Sequence, residues 1–371
     1  MTCLLGLRFD LNTKFSLCAV LSCIFFSCQP ILGGNSQDYF NLQSRIQEIF
    51  EASKTSIVRV KATREIVSEG KTRRILKMGT GFFVSKDGQV LTTGLLKDPD
   101  RIWVEHMGSF YLAEKLGQDA LCNLSLLKLE ERPSDFSFVT LSDFPDDPKA
   151  GSILVGLTCA LEFEVGPTYG ILQSEEFSLG KRLFPTKMLR TSLALGPGEI
   201  GAPIFDLQGK FVGISHIGLP DLRSSFVLPA DACIRIREAL TFSGEVDYGW
   251  FGITTMRKLN DSSGFDIVVQ NLIEGSSAAD SLIKSGDVIK RIGNRAVSNQ
   301  GDLANAAFFS RPNTFVEFLV LRDDKEIKIP IKVAKRPSLR NELAEVEDPV
   351  IDGDIGNITP INKDINETNP F

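Results

Sequence analysis

From residue 57 to about 233 the chain alternates short apolar runs with polar positions and breaks them with Gly, Pro and Asp. The period-2 stretch Ser56-Ile57-Val58-Arg59-Val60-Lys61-Ala62 predicts a strand. Further strands are predicted over 81–85, 89–92, 102–105, 124–129, 152–157, 170–173, 188–191, 203–205 and 211–215. Many short strands at regular spacing argue for a sandwich or barrel. Helical spacing marks 37–54 (Phe40, Leu42, Ile46, Ile49, Phe50) and a closing helix over 231–242. A second unit begins near Tyr248, with strands over 265–271, 287–292, 316–322 and 326–333 and helices near 278–284 and 302–309. Its length is ordinary for a small α+β domain.

Charge changes the picture at one end only. Residues 337–371 hold eight acidic and two basic side chains, so this tail accounts for the whole net charge of -6. The rest is near neutral, which argues against a nucleic-acid partner. The tail shows no periodicity and is expected to be disordered. Its last residues, Asn369-Pro370-Phe371, raise the expectation that it docks on the chain itself.

Residues 1–28 read as an export signal, with Arg8 and Lys14 ahead of the apolar run 15–28. That run is short for a membrane span. Ser22-Cys23 and Ser27-Cys28 resemble a lipoprotein signal, in which Cys23 or Cys28 would be acylated; ordinary cleavage that discards both is the other reading. The three cysteines beyond the leader, Cys122, Cys159 and Cys233, lack metal-ligand spacing and read as buried thiols.

Three stretches carry a family resemblance. Gly79-Thr80-Gly81-Phe82 with the following Asp87-Gly88 turn and Leu91-Thr92, then Asn123-Leu124-Ser125-Leu126-Leu127-Lys128, then Gly196-Pro197-Gly198-Glu199-Ile200-Gly201-Ala202-Pro203 resemble, in order and spacing, the HtrA family of trypsin-like serine proteases. The resemblance implies a mainly β, two-barrel chymotrypsin-fold domain over 37–243, an α+β PDZ domain over 247–335 and a tail over 336–371. No cofactor or metal is implied.

Ser-His-Asp catalysis needs a hydroxyl nucleophile, an imidazole base and an orienting carboxylate. The matched positions hold Ile200, Leu95 and Asn123. The only histidines, His106 and His216, lie away from the base position, and no serine occurs in 198–203. The degenerate positions Leu95, Asn123 and Ile200 therefore predict a pseudoprotease, with residual or unconventional endopeptidase activity as the alternative. Cys122 beside Asn123 is the one thiol near a matched position, and a core residue is the preferred reading. Glu199 is read as a solvated loop residue.

Tyr248-Gly249-Trp250-Phe251-Gly252-Ile253, Ser285-Gly286-Asp287 and Ile292-Gly293-Asn294 resemble an HtrA-type PDZ domain. The resemblance implies capture of peptide C-termini. Backbone N–H groups of Trp250, Phe251 and Gly252 would hold the carboxylate, and Ile253, Leu303 and Ala307 would line the last side chain's pocket. It also implies a periplasmic or envelope location and a barrel that serves as structure, as a second peptide cleft or as a non-cleaving partner of an active HtrA-type protease. Tyr39 and Phe40 are candidates for a homo-trimer contact, and amphipathic helix packing explains them equally well.

Overall fold

A computed structural model describes residues 36–68, 71–141, 148–180, 182–260 and 264–337. The export signal and the acidic tail lie outside them, as does the tail's proposed self-docking.

Helix α1 (Ser36–Ser53) follows the predicted periodicity. After it come β1 (Ile57–Ser68), β2 (Lys71–Phe83), β3 (Gln89–Thr93), β4 (Arg101–His106), β5 (Ser109–Gln118) and β6 (Leu124–Leu129). These close into an antiparallel barrel in the order β1-β2-β3-β6-β5-β4. A second barrel, in the order β10-β11-β12-β9-β8-β7, is built from β7 (Ile153–Thr158), β8 (Gly166–Leu179), β9 (Arg182–Thr191), β10 (Pro203–Asp206), β11 (Phe211–Leu219) and β12 (Ser224–Pro229). Closure removes exposed sheet edges and gives each barrel its own apolar core. Val60, Phe83, Val90 and Leu127 fill the first and Leu154, Ile204 and Val227 the second. Helix α2 (Ala230–Ser243) follows and ends at Gly244, whose φ of 71° forms the left-handed cap.

The last domain comprises β13 (Gly249–Trp250), β14 (Ile253–Leu259), β15 (Phe265–Leu272), β16 (Val288–Ile292), β17 (Arg295–Ala296), α3 (Gln300–Phe309), β18 (Phe315–Arg322), β19 (Lys325–Lys332) and β20 (Ala334–Lys335). Its main sheet runs β14-β15-β16-β18-β19, so β14 and β19 are the edges. Helix α3 starts with a capping box, Asn299 and Asp302 each bonding the other's backbone N–H. Asp287, buried, takes a two-bond grip from Arg322 at 2.6 Å each and fixes the turn before β16. The predicted helix over 278–284 is not formed; this stretch is a series of turns and bends. Ser276 and Ser281 bond nearby N–H groups with their hydroxyls, which competes with helical bonding.

Helix α3 also packs against the second barrel. Buried Thr186 on β9 donates its hydroxyl to Asn305 Oδ1 at 2.6 Å. A methyl group on Gly301 would lie 2.2 Å from Phe177 of β8, so glycine is required there. Arg235 of α2 donates from Nε to the Phe308 carbonyl at 2.5 Å, and its guanidinium lies 5.5 Å from the ring centres of Tyr248 and Phe308. Beside Tyr248, in the β5–β6 connection, buried Asp119 accepts the Cys122 N–H at 2.7 Å. Burial holds the Asp119 carboxyl above its usual range, against the lowering effect of the Cys122 N–H, the Tyr248 hydroxyl and the Leu121 N–H.

Two outcomes are expected at this junction. Thr186→Val leaves Asn305 Oδ1 buried without its donor and lowers stability by about 1–3 kcal/mol; Thr186→Ser keeps the bond and costs less, as thermal unfolding midpoints would register. Asp119, with its folded-state pKa above the unfolded value, stabilises the fold while protonated, and that contribution is lost as pH rises from the ordinary value of 3.8 through the folded one. Asp119→Asn keeps an acceptor but cannot ionise, so urea unfolding from pH 4 upward should show a flatter stability profile for the variant. Parallel profiles would remove Asp119 from the pH response.

Candidate functional site

The matched catalytic positions meet around Gly94. Leu95 follows it in sequence, and the Gly94 N–H donates to the Asn123 carbonyl at 3.2 Å. A methyl group built on Gly94 would lie 4.0 Å from Ile200 Cγ2, and one on Gly218 would lie 3.5 Å from Ile200 Cδ1. The isoleucine side chain thus lies between these two glycines and packs on the second barrel's core. Leu95 points elsewhere: it is 4% exposed and belongs to the first barrel's core. Asn123 has a φ of 49° and accepts the Gln118 Nε2 at 2.8 Å through its side-chain oxygen. None of the three side chains can exchange a proton with a substrate near neutral pH.

The loop around Ile200 is clamped by two hydroxyl residues. Thr80 donates its N–H to the Ile200 carbonyl at 3.0 Å and its hydroxyl to the Gly198 carbonyl at 2.8 Å, while its Oγ1 accepts the Cys159 N–H at 3.1 Å. Ser215 donates its hydroxyl to the Glu199 carbonyl at 3.0 Å and accepts the Ala202 N–H at 2.8 Å. Gly201, at φ 94°, passes so close that a methyl group would stand 2.1 Å from the Thr80 carbonyl. Only glycine fits that approach.

Glu199 is not the solvated residue expected. Its carboxylate accepts the Thr158 hydroxyl at 2.8 Å and the Gly196 N–H at 2.5 Å. The short reach from Glu199 back to Gly196 closes the loop on itself, while the Thr158 hydroxyl comes from a strand 41 positions away and has no local sequence signature.

The other titratable groups are structural. His106, 3% exposed, bonds the Thr55 carbonyl through Nε2 at 2.9 Å, and burial pulls its pKa down. Burial first, then the Asp119 charge, pushes the Cys122 thiol well up. Burial raises Cys159 to about 11 and also raises Cys233. All three thiols are free and buried, and their raised pKa values disfavour the thiolate a nucleophile needs.

In the last domain, Phe251, Ile253 and Leu303 are buried in one apolar cluster, with Ala307 packed against it. The structure therefore brings together four of the six residues expected to bind peptide. Trp250 pairs with Ala334, and its indole lies over Gly252. Gly252, at φ 74°, fits against Ser276, where a methyl group would lie 2.1 Å from the Ser276 Cβ. The loop's carbonyls are spent on the following turn: Phe251 accepts the Ala278 N–H at 3.2 Å and Gly252 the Ile273 N–H at 2.9 Å. Two residues here escaped the sequence reading. Ser276 donates its hydroxyl to the Gly252 carbonyl, and Gln300, at the start of α3, donates Nε2 to the Thr255 carbonyl of β14 at 2.8 Å. Neither bond could be read from spacing, since the partners lie 24 and 45 positions apart.

Known proteins match this layout. Residues 79–214 match the family described as a trypsin-like peptidase domain, and residues 249–333 match the PDZ domain family. A probable periplasmic serine endoprotease DegP-like from Ectopseudomonas mendocina is 28% identical over 293 residues, covering 74% of this chain and 60% of the relative. The similarly named protein of Halomonas elongata is 27% identical over 289 residues, covering 73% of this chain and 59% of its own length. The chain thus spans about 60% of the length of these curated relatives. Among solved structures, the HtrA-type protease AlgW with decapeptide superimposes with a TM-score of 0.63 at 19% identity, covering 79% of this chain and 99% of that one. The serine endoprotease from Yersinia pestis gives 0.56 at 20% identity, covering 79% and 98%. At such identities the structural likeness speaks for the fold alone. The two domain matches in their order and the DegP-like relatives identify this chain as a trypsin-like peptidase domain followed by a PDZ domain, the layout of the HtrA family.

Proposed function

We propose that this chain is an exported pseudoprotease of the HtrA type, which binds extended or C-terminal peptide segments through its PDZ domain without cleaving them. The observation that carries the reading is Ile200, a hydrocarbon seated between Gly94 and Gly218 where the family's nucleophile is matched. Leu95 supports it, because its side chain is part of a barrel core and leaves no imidazole at the base position. Asn123 supplies no charge to orient or stabilise an imidazolium. Glu199 adds a carboxylate to the loop in which the family binds an oxyanion, and negative charge there opposes the charge that develops in acyl transfer.

Peptide would enter by strand addition at β14. Of the two sheet edges, β19 carries exposed Lys325, Lys328 and Lys332 and the N–H-lacking Pro330, features that discourage pairing. The β14 edge starts at the Gly252 loop and faces α3 through the Gln300–Thr255 bond, so an incoming strand competes with Gln300 for that carbonyl. The N–H groups of Trp250, Phe251 and Gly252 would hold the carboxylate, and Ile253, Leu303 and Ala307 the apolar end. The reading extends to export into the periplasm or envelope, where the curated relatives are named periplasmic, with Cys23 or Cys28 as the point of a lipid anchor. It also extends to homo-trimers and to an active HtrA-type protease as partner.

Two experiments separate this function from residual proteolysis. The protein should neither digest casein nor react with a fluorophosphonate probe, and Ile200→Ser alone should not restore turnover, since no base is present. Leu95→His should lower stability by burying an imidazole in the barrel core. Casein cleavage that survives Ile200→Ala would place a nucleophile elsewhere and end the pseudoprotease reading. In a library of peptides with free C-termini, binding should favour apolar ends and be lost in both Gly252→Val and Ala307→Glu, with circular dichroism confirming that each variant is folded. Binding indifferent to both substitutions would reject the PDZ groove as the site.

A further inference from the structure

Strand β14 carries an unclaimed cation along the edge of the groove. Its pairing with β15 slips between Thr254, opposite Asn271, and Thr255, opposite Val269, so the extra residue, Gln270, belongs to β15. Strand β14 itself keeps a period of two, which puts Ile253, Thr255, Arg257 and Leu259 on one face. Ile253 is buried in the cluster that holds Leu303 of α3, so this face borders the groove. Phe265 stands opposite Leu259 on the same face, and the Arg257 guanidinium lies 4.0 Å from the centre of its ring. Stacking of this kind orients the guanidinium plane and leaves its N–H edge free for an acceptor. Among the described residues Arg257 has this ring contact and no ion pair. The neighbouring acids are committed. Asp266, on the other face, is bonded to Lys290 at 2.8 Å and stands opposite Lys258. Asp302, in the first turn of α3, accepts bonds from Ser298 and Asn299.

Register converts this cation into a preference for one kind of ligand. Val269 donates its N–H to the Asp287 carbonyl and accepts the Gly286 N–H, each at 2.9 Å. Its partner Thr255 is therefore in a non-hydrogen-bonded pair and turns its own N–H and C=O away from β15. The Gln300 bond to the Thr255 carbonyl agrees with that direction. Ile253, Arg257 and Leu259, at even spacing from Thr255, turn theirs outward as well. A peptide strand added antiparallel here has its carboxylate in the 250–252 loop and its last residue against Ile253. The residue two before the last then meets Thr255, and the residue four before it meets Arg257. Side chains directly opposite share a face, with Cβ atoms about 4.5–5.5 Å apart. We propose that this groove selects peptide C-termini with an apolar last residue and an Asp or Glu four positions before it, whose carboxylate Arg257 takes. Leu259, 66% exposed, and Phe265, 47% exposed, continue the surface beyond Arg257 and shield that contact on one side. The inference rests on the peptide-binding reading of the same groove and names the class of peptide it takes.

Three synthetic peptides with free C-termini test it: Ala-Ala-Glu-Ala-Ala-Ala-Phe and its counterparts with Gln or Lys in place of Glu. Each is labelled at its N-terminus and titrated against the full chain by fluorescence anisotropy. In about 50 mM NaCl the Glu peptide should bind roughly two- to five-fold tighter than the Gln peptide. That gain should vanish in about 1 M NaCl, where screening acts within about 3 Å. Moving the Glu one place toward the C-terminus turns it to the opposite face and should also remove the gain. Arg257→Glu, at an exposed position, should reverse the order and favour the Lys peptide, a result that loss of folding cannot produce. Equal affinity for the Glu and Gln peptides, or a preference for Glu that survives Arg257→Glu, overturns this inference and leaves the groove reading standing. Absence of binding by all three peptides, or binding unaffected by amidation of their C-termini, overturns the groove reading and this inference with it.

Discussion

The two barrels are locked where Thr80 and Ser215 grip the loop from Gly198 to Gly201, and much else in the first 243 residues follows from that contact. Thr80 uses its N–H, its hydroxyl and its carbonyl surface on the loop, and Ser215 uses its hydroxyl twice. Thr92 and Thr93 add the next layer, donating their hydroxyls to the Thr80 and Ser215 carbonyls. Each buried hydrogen bond contributes only about 1 kcal/mol net, yet removing one partner strands the other at a cost of about 1–3 kcal/mol. The loop therefore keeps its shape for reasons independent of the residue at its tip. Gly201 persists because the Thr80 carbonyl leaves no room for a side chain, and Gly198 because a methyl group there would lie 2.5 Å from the Leu161 N–H. A scaffold held this way tolerates isoleucine at position 200, the position proposed to match the nucleophile.

A second coupling ties the PDZ domain to the barrels through a single helix. One side of α3 supplies Leu303 and Ala306 to the PDZ core, and another carries Gly301 against Phe177 and Asn305 against Thr186. The Arg235–Tyr248–Phe308 stack fixes the neighbouring chain crossing. Any movement of α3 that widens the groove beside β14 must therefore disturb either a buried hydrogen bond or a glycine contact with the barrel. On the proposed reading, this geometry links peptide affinity to barrel packing.

Strand alternation and turn residues are local signals, and they marked a sandwich or barrel followed by an α+β unit; the two barrels and the PDZ domain came from the family resemblance. The β6 limits, 124–129, could be read directly, and Asn123 and Ile200 both lie beside Gly94, while Leu95 turns into the first barrel's core. What escaped depends on partners far along the chain. Strand β5 carries long polar residues on its exposed face and shows no clean alternation, and the all-buried β12 reads as an unpatterned apolar run. The supposed helix over 278–284 had helical composition, but its serines found closer bonding partners. Glu199 looked like a solvated loop residue because Thr158, 41 positions away, cannot be placed next to it by spacing. The full length of the β1–β2 hairpin was invisible for a similar reason: its outer half is mixed polar and apolar, and only cross-strand register shows that it continues as a strand.

Glu199 bears on whether the loop's geometry is a catalytic relic or a new equilibrium. With its carboxylate bonded to the Gly196 N–H and the Thr158 hydroxyl, the loop uses its own anion to satisfy donors. Replacing that carboxylate by an amide would retain one acceptor and lose the charge, so the loop would be less tightly closed but also less repulsive to a bound carbonyl. Recovering an oxyanion site thus works against the interaction that now closes the loop. On the proposed matching, Leu95 imposes the same conflict on the base position, because an imidazole there would displace core packing. The two obstacles are physically separate, one electrostatic in the second barrel and one steric in the first. A single substitution cannot relieve both, and on the proposed reading that separation keeps the barrel a non-cleaving support for the PDZ domain.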